Sequence, residues 1–548
     1  MSRAGFSLCS KLALAGFLAL AVAGCSPSGG ELSTRGLPGE MVLNRGNGAE
    51  PKTVDPHYVD SIWETWIVGD LLMGLTTEDS AGRAIPGAAQ SWDVSPDGLT
   101  WAFHIRDHLW SDGVPVTSQD FLFAWRRLFD PKTGAGYAYN LWVLKNSEPI
   151  TAGKMPVEAL GVSAPDDKTL VVHLEHPAAY LPELLTHDTA RPLPRHQMLA
   201  KGDAWDKVGN YVSNGAYVLD AWVPNDHITL LKNKKFYDAA NVRIDRVNFY
   251  PTVDTGAALK WMRAGLIDTL DPFGTTQIGW LRIHMPETIS LKPSLSTYYI
   301  VFNLAHKPYD DIRIREAINL TLNREALTND VLRLGEPAAY GIVPPGIANY
   351  PGDASMAMKS MPNVDRIARA QALMRAAGYG PDRHFHTTFA TGTDPDWKRI
   401  AAAVQDMLRS AYIDAEIVQS DLQIHYKKLQ LGDFDMAWSG WIADFNDATN
   451  FLDLLRCDSG NNYGKYCNRA YDALLDKANL EPDAAKRGNM LRDAENLVLK
   501  DFPWAPARFA DNRELVQPYV KGWINNGRDI NRTRWLWIDK GVLVASAK

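Results

Sequence analysis

Between Ser91 and Phe121 the chain spells out a hairpin, a second turn and a capped helix in one unbroken run. Pro96-Asp97-Gly98 is turn chemistry, with Gly98 free to take positive φ. Leu99, Trp101, Phe103 and Ile105 then alternate with Thr100, Ala102 and His104, so one face of a strand is apolar. Ser111-Asp112-Gly113 reverses the chain again. Thr117, followed three residues later by Asp120, predicts a helix start with an acidic variant of the capping box. Phe121, Leu122, Trp125, Leu128 and Phe129 mark the face that this helix buries.

The N-terminus carries Arg3 and Lys11 ahead of a short apolar run, Leu12 to Gly24. That run is too short to span a bilayer comfortably and ends in small residues, which is the pattern of a secretory signal over 1–24. Val22-Ala23-Gly24-Cys25 resembles a bacterial lipobox, with cleavage before Cys25 and lipidation of that cysteine. An ordinary signal with an incidental thiol is the alternative. Residues 25–39 are rich in Gly, Ser and Pro, as a flexible tether is. Stable anchoring takes two or more acyl chains, which a diacylglyceryl cysteine supplies. Cys9 leaves with the signal, so Cys457 and Cys467 remain as an even pair in an oxidising compartment. A disulfide between them closes a polar loop and stabilises by roughly 2.5–3 kcal/mol. A two-thiol metal site is the other option, with no His nearby in sequence.

The formal charge of −7 deepens by two when Arg3 and Lys11 are removed, which argues against nonspecific nucleic-acid binding and suits cationic or zwitterionic ligands. Strand and helix signals are mixed throughout, without tandem repeats, so the class is α/β or α+β. Val212–Trp222 and Ile228–Asn233 read as paired strands. Asn363 is positioned to cap a helix bearing Val364, Ile367, Ala370, Leu373, Met374 and Ala377, closed by Gly378. Trp397, Ile400, Ala401, Val404, Met407 and Leu408 form a second helical stripe. Phe434–Ala443 reads as a buried strand.

The Ser91–Phe121 string closely resembles the signature of the family-5 extracellular solute-binding proteins, the peptide- and nickel-binding receptors of bacterial ABC importers. Asn44–His57, the Asn214-Gly-Ala-Tyr217 segment and Thr297–Asn303 with the helix after it also match, and the resemblance runs from Met41 to the end. It implies an α/β periplasmic binding protein fold, with two lobes joined by two crossover strands and a smaller inserted domain. Transferred to this chain, lobe I takes roughly 40–72, 197–295 and 514–548. The inserted domain takes 73–196, and lobe II 296–513.

Trp438-Ser-Gly-Trp-Ile-Ala-Asp-Phe-Asn446 is the expected ligand site. One carboxylate, Asp444, sits among large rings, where attraction to a cation is stronger than in water. A buried charge also needs a partner. Asp444 matches the Asp that pairs with the peptide α-ammonium in oligopeptide-binding members, and Trp441, Ala443 and Asn446 match with it. The competing reading makes Asp444 the cap of a helix beginning near Asp447 or Thr449. Asp60-Ser61-Ile62 matches the family's strand on one side of the peptide, and Gly440, Trp441 and Ile442 the strand on the other. Tyr137 and Tyr299 match aromatic positions lining the cleft, with core packing as the alternative for each.

The chain departs from oligopeptide-binding relatives where basic side chains near this strand meet the ligand's C-terminal carboxylate. Trp438 and Leu429 stand there instead, with Lys427 and Lys428 close in sequence, and a bulky Trp438 would reshape the pocket. Ser296 and Ile442 occupy positions where some relatives carry paired cysteines. No Gly-x-Ser-x-Gly, His-Glu-x-x-His or P-loop motif is present, and His384/His386 and His104/His108 are pairs of ordinary kind. The expectation is therefore a monomeric binding protein without cofactor or metal, not an enzyme. It captures oligopeptides and delivers them to an ABC permease in the inner membrane. It is held by its N-terminal lipid on the periplasmic or cell-surface side. Alternatives are a narrower ligand (a murein peptide, a dipeptide, a metal or haem chelate) and, from another class, a secreted hydrolase.

Overall fold

The computed structural model describes residues 39–481, 483–524 and 526–542. The expected signal, Cys25 and the tether up to residue 38 lie outside the described residues.

The Ser91–Phe121 segment folds as its pattern dictates. Strands β4 (Ala89–Val94) and β5 (Thr100–Ile105) pair antiparallel. Trp101, Phe103 and Ile105 turn inward while Thr100, Ala102 and His104 stay half-exposed. β6 (Val162–Asp166) and β7 (Thr169–His173) complete a four-stranded sheet in the order β4-β5-β7-β6. The helix Ser118–Phe129 starts at the Thr117/Asp120 capping box, and its apolar face is buried as expected. Trp125 donates its indole N–H to the carbonyl of Ala190 at 3.1 Å, which satisfies the one polar atom that side chain takes into the core.

The main sheet has ten strands in the order β14-β13-β15-β12-β16-β11-β1-β10-β9-β8. One half holds β1 (Val42–Gly46), β8 (Tyr217–Val223), β9 (His227–Lys232), β10 (Arg246–Tyr250) and β11 (Thr269–Leu270). The other holds β13 (Phe385–Gly392), β14 (Ile413–Ser420) and β15 (Met436–Ile442). Two long antiparallel strands join them, β12 (Ile289–Phe302) and β16 (Trp504–Val516). β16 ends against β11, and β12 runs on against β15. Their mutual pairing breaks register between Pro293 and Thr297, so the ladder is interrupted where one half gives way to the other. Short pairs β2 (Thr76–Glu78) with β3 (Ala84–Pro86), and β17 (Val520–Lys521) with β18 (Trp537–Ile538), complete the strands.

Three details refine the sequence reading. The helix over 363–376 takes Pro362 as its N-cap, with Asn363 already helical. Val364 is 73% exposed because its turn precedes the packed part of the helix, where Ala370 and Met374 are buried. Cys457 and Cys467 form a disulfide. Ser296 and Ile442 face one another across the β12–β15 ladder, so the residues that replace the relatives' cysteines are direct neighbours.

Near the C-terminus, Arg532 reaches Glu78 at 3.1 Å and donates to the Thr65 carbonyl at 2.7 Å. A Cβ on Gly69 would sit 1.5 Å from the Arg532 guanidinium, so this helix position must be glycine for the arginine to enter.

Candidate functional site

β15 is an unevenly used strand. β12 pairs with it along Met436–Ile442, whereas β13 meets it only at Met436 and Ala437. The second edge of Trp438–Ile442 therefore has no strand partner among the described residues. Gly440 lies opposite Tyr298, whose ring covers it; a Cβ there would approach that ring to 2.6 Å. Gly440→Ala therefore forces the ring aside, with an expected cost of about 1–3 kcal/mol, read as a lowered melting temperature.

The chain leaves the strand at Ala443, whose N–H donates to the Leu295 carbonyl at 2.8 Å. Asn450 then organises the turn: its Oδ1 accepts from the Trp441 indole N–H (2.8 Å) and from the Asp444 backbone N–H (3.2 Å). The helix Thr449–Leu452 has Ala448 as its N-cap, with no side-chain cap. Asp447 Oδ1 accepts the Thr449 N–H at 3.0 Å, and Arg487 pairs with the same carboxylate at 2.6 Å. The Asp444 carboxylate is thereby left out of the capping role.

That carboxylate is 16% exposed; Asn450 and Asn140 hydrogen-bond it, and its Oδ2 is buried without a hydrogen-bond partner among the described residues. Its Oδ1 lies 4.0 Å from His187 Nε2. Burial raises its pKa; His187 and Arg528 offset part of that. Asp444 is thus a charge held ready and underpaid in partners, a costly arrangement unless something cationic enters. Near it is Tyr137, stacked on Tyr139 at 5.5 Å and tilted against His187 at 5.6 Å. Burial, then the Asp444 charge, pushes both tyrosine hydroxyls upward. Phe445 stacks on Tyr180 at 5.4 Å, and the Arg487 guanidinium covers the Tyr180 ring at 5.2 Å.

The remaining expected residues divide. Trp441 is half-buried and Ile442 is 47% exposed beside the free edge. Trp438 is fully buried, stacked on Tyr298 at 6.2 Å, and its carbonyl accepts from His425 at 2.9 Å. Asn446 accepts the Ala348 N–H at 2.9 Å, a tie to the 342–350 loop. Tyr299 is 2% exposed and lies flat on Trp504 at 3.6 Å; the neighbouring Tyr298 is the half-exposed ring. Asp60-Ser61-Ile62 is not a strand. Ser61 is extended, and Ile62 is the first residue of the helix Ile62–Leu71. Glu64 draws the segment into a helix start by accepting the backbone N–H groups of Lys52 (2.7 Å) and Asp60 (3.0 Å). The Asp60 carboxylate pairs with Lys52 at 3.0 Å in solvent.

Sequence reasoning missed Asn450, in the same turn, and His187 and Asn140, which come from distant segments with no motif. It missed Arg508 too. Arg508 pairs across from Tyr298, covers that ring at 4.1 Å, and donates to Glu336 at 2.6 Å. Leu429 is buried like Trp438, and Lys427 is exposed, so the cation against this aromatic wall comes from β16. Asp396 binds Arg513 on β16 (2.7 Å) and also meets Thr275, which follows β11, so it links the two halves.

Residues 83–463 match the model of the bacterial extracellular solute-binding proteins, family 5 middle. The chain belongs to this family. As a family 5 solute-binding protein it is a binder, not an enzyme, and it has the two-lobed α/β fold. It is 35% identical over 497 residues to the periplasmic oligopeptide-binding protein OppA of Haemophilus influenzae, covering 89% of this chain and 91% of that one. The structure of that OppA in complex with RPPGFSPFR has a TM-score of 0.83 at 34% identity, covering 92% of this chain and all of the other. The probable deoxycholate-binding periplasmic protein YgiS of Escherichia coli is 33% identical, covering 92% of this chain and 94% of its own. The murein tripeptide binding protein MppA of Escherichia coli, 32% identical, gives a TM-score of 0.84 over 91% of this chain and 99% of its own. Its unliganded open form, covering 91% and 98%, gives 0.75. Among the described residues, no helix is long and apolar enough to cross a membrane.

Proposed function

We propose that this protein captures oligopeptides between its two lobes and hands them to the permease of an ABC importer. The observation that carries the reading is the Asp444 carboxylate, set among rings, taking no part in helix capping, and with one oxygen buried without a hydrogen-bond partner among the described residues. An α-ammonium is the group that such a carboxylate takes. The edge of Trp438–Ile442, which has no second strand among the described residues although His425 takes the Trp438 carbonyl, supports strand addition by the ligand's main chain, which every peptide offers regardless of sequence. The relatives named for oligopeptides and murein tripeptide support the same class. An anionic sterol, as named for YgiS, would meet the Asp444 charge unfavourably. Tyr137, Trp441, Gly440 and Ile442 line the ligand, with Trp438 setting the pocket depth. In this reading the chain is exported, lipidated at Cys25 and monomeric on the periplasmic side. Its lobes divide at roughly 40–72, 197–295 and 514–548 against 296–513, and 73–196 form the inserted domain.

Calorimetry with one peptide in free and N-acetylated forms tests the amine. The free form is expected to bind at least about tenfold tighter, and equal affinities would remove Asp444 from its role. Native mass spectrometry of protein purified from its host would then read the mass of the natural cargo.

A further inference from the structure

His187 is placed where a ligand's ammonium would compete with it. It follows the helical turn Leu181–Leu184, far in sequence from Asp444, yet its Nε2 is the nearest ionisable nitrogen to that carboxylate, at 4.0 Å. Its other nitrogen is committed: Nδ1 accepts the Thr189 backbone N–H at 3.3 Å and lies 2.9 Å from the Thr189 hydroxyl. With Nδ1 as acceptor, the neutral ring carries its proton on Nε2, the side facing Asp444. The Asn140 amide nitrogen lies 3.5 Å from Nε2 and its amide also hydrogen-bonds the Asp444 carboxylate, so both side chains converge on the same acid. The Tyr137 ring packs against it, tilted by 31° at 5.6 Å between centroids.

We propose that His187 is a positioning residue for Asp444 that gates ligand capture by pH. Neutral, it directs an N–H dipole at the carboxylate and leaves the charge for the ligand; protonated, it supplies a built-in cation that takes the ligand amine's place. This inference rests on the reading of Asp444 as the amine site. Charging the ring costs the Thr189 hydrogen bond, since Nδ1 would then also carry a proton. The charged groups around it act in both directions: Asp444 and Asp188 favour the imidazolium, while Arg528 and Arg191 oppose it. Burial is the largest influence and lowers the His187 pKa, so the ring is neutral at pH 7 and charges only in acid.

The coupling is read without any ligand by 15N NMR of the imidazole. The Nε2–H tautomer is expected, with a titration that moves to lower pH in Asp444→Asn because a favourable charge is gone. An Nδ1–H tautomer, or an unmoved titration, overturns the inference. The gate itself is read by calorimetry with Ala-Ala-Ala at pH 7.5 and 5.0. Gln at 187 keeps a donor and cannot charge, whereas Leu removes the donor. Wild type is expected to lose at least about fivefold in affinity on acidification, and His187→Gln less than about twofold. His187→Leu is expected to be weak at both pH values, with its fold checked by circular dichroism. If His187→Gln falls in acid as steeply as wild type, the loss belongs to protonation of Asp444 and the gate is refuted. Binding of Ala-Ala-Ala by Asp444→Asn at pH 7.5 with wild-type affinity would instead overturn the amine reading.

Discussion

Asp444→Asn leaves the fold intact and weakens capture of a free-amine peptide more than tenfold, a loss of about 1.4 kcal/mol or more. The amide keeps the shape and the backbone hydrogen bond to Asn450 but not the charge. A double cycle isolates the contact: an N-acetylated peptide, already weak on wild type, should lose little more on the variant. Stability should move the other way. Burial raises the folded pKa of Asp444, so its ionised form is a cost to the empty protein at neutral pH, relieved as pH falls through that value. Removing the charge should leave the melting temperature equal or higher at pH 7. A melting temperature well below wild type would mean that the carboxylate is structural. Unchanged peptide affinity would sink the assignment.

The second large effect lies in the structural framework. Glu78 is fully buried, and Arg532 and Arg528 approach it at 3.1 and 3.8 Å. Burial alone would raise its pKa, but Arg532, Arg191 and Arg528 outweigh it and pull the value down to about 2. Arg532→Met removes the nearest cation from that buried carboxylate, leaving Arg528 and Arg191, and also frees the Thr65 carbonyl. The expected loss is about 3–5 kcal/mol, read as a lower midpoint in urea. The pH dependence has a definite sign. A depressed folded pKa contributes stability that is present above the ordinary Glu value and lost as pH falls toward 2, about 3 kcal/mol at most. Wild type should therefore weaken between pH 4.5 and 2 more steeply than Arg532→Met. Parallel acid profiles would show that Glu78 is not held by these arginines.

Local pattern carried a large part of the fold. Period-two alternation at Trp101, Phe103 and Ile105 and the Thr117/Asp120 capping box act within a few residues, so neighbours in sequence decide them. The same holds for the helical stripe at Ile400, Val404 and Leu408, and for β15 itself. Asp60–Ile62 failed for an equally local reason, because Glu64 captures the preceding amides and starts a helix there. Tyr299 proves to be the core ring and Tyr298 the half-exposed one, a distinction that a match of residue types does not carry.

The sequence by itself determined the family, the hairpin-and-helix units, the Cys457–Cys467 pair and the position of one acid among aromatic rings. Each is set by short-range periodicity, or by residue types that match a known string. Only the tertiary structure decided that Asp444 faces a buried pocket with His187 rather than solvent. It alone set His187 and Asn140 opposite that acid, and Arg508 against Tyr298. Those partners come from segments tens to hundreds of residues away, and their meeting follows from how two sheet halves close on long shared strands. Charge, burial and hydrogen bonding at the site are properties of that closure, which no local stretch of chain encodes.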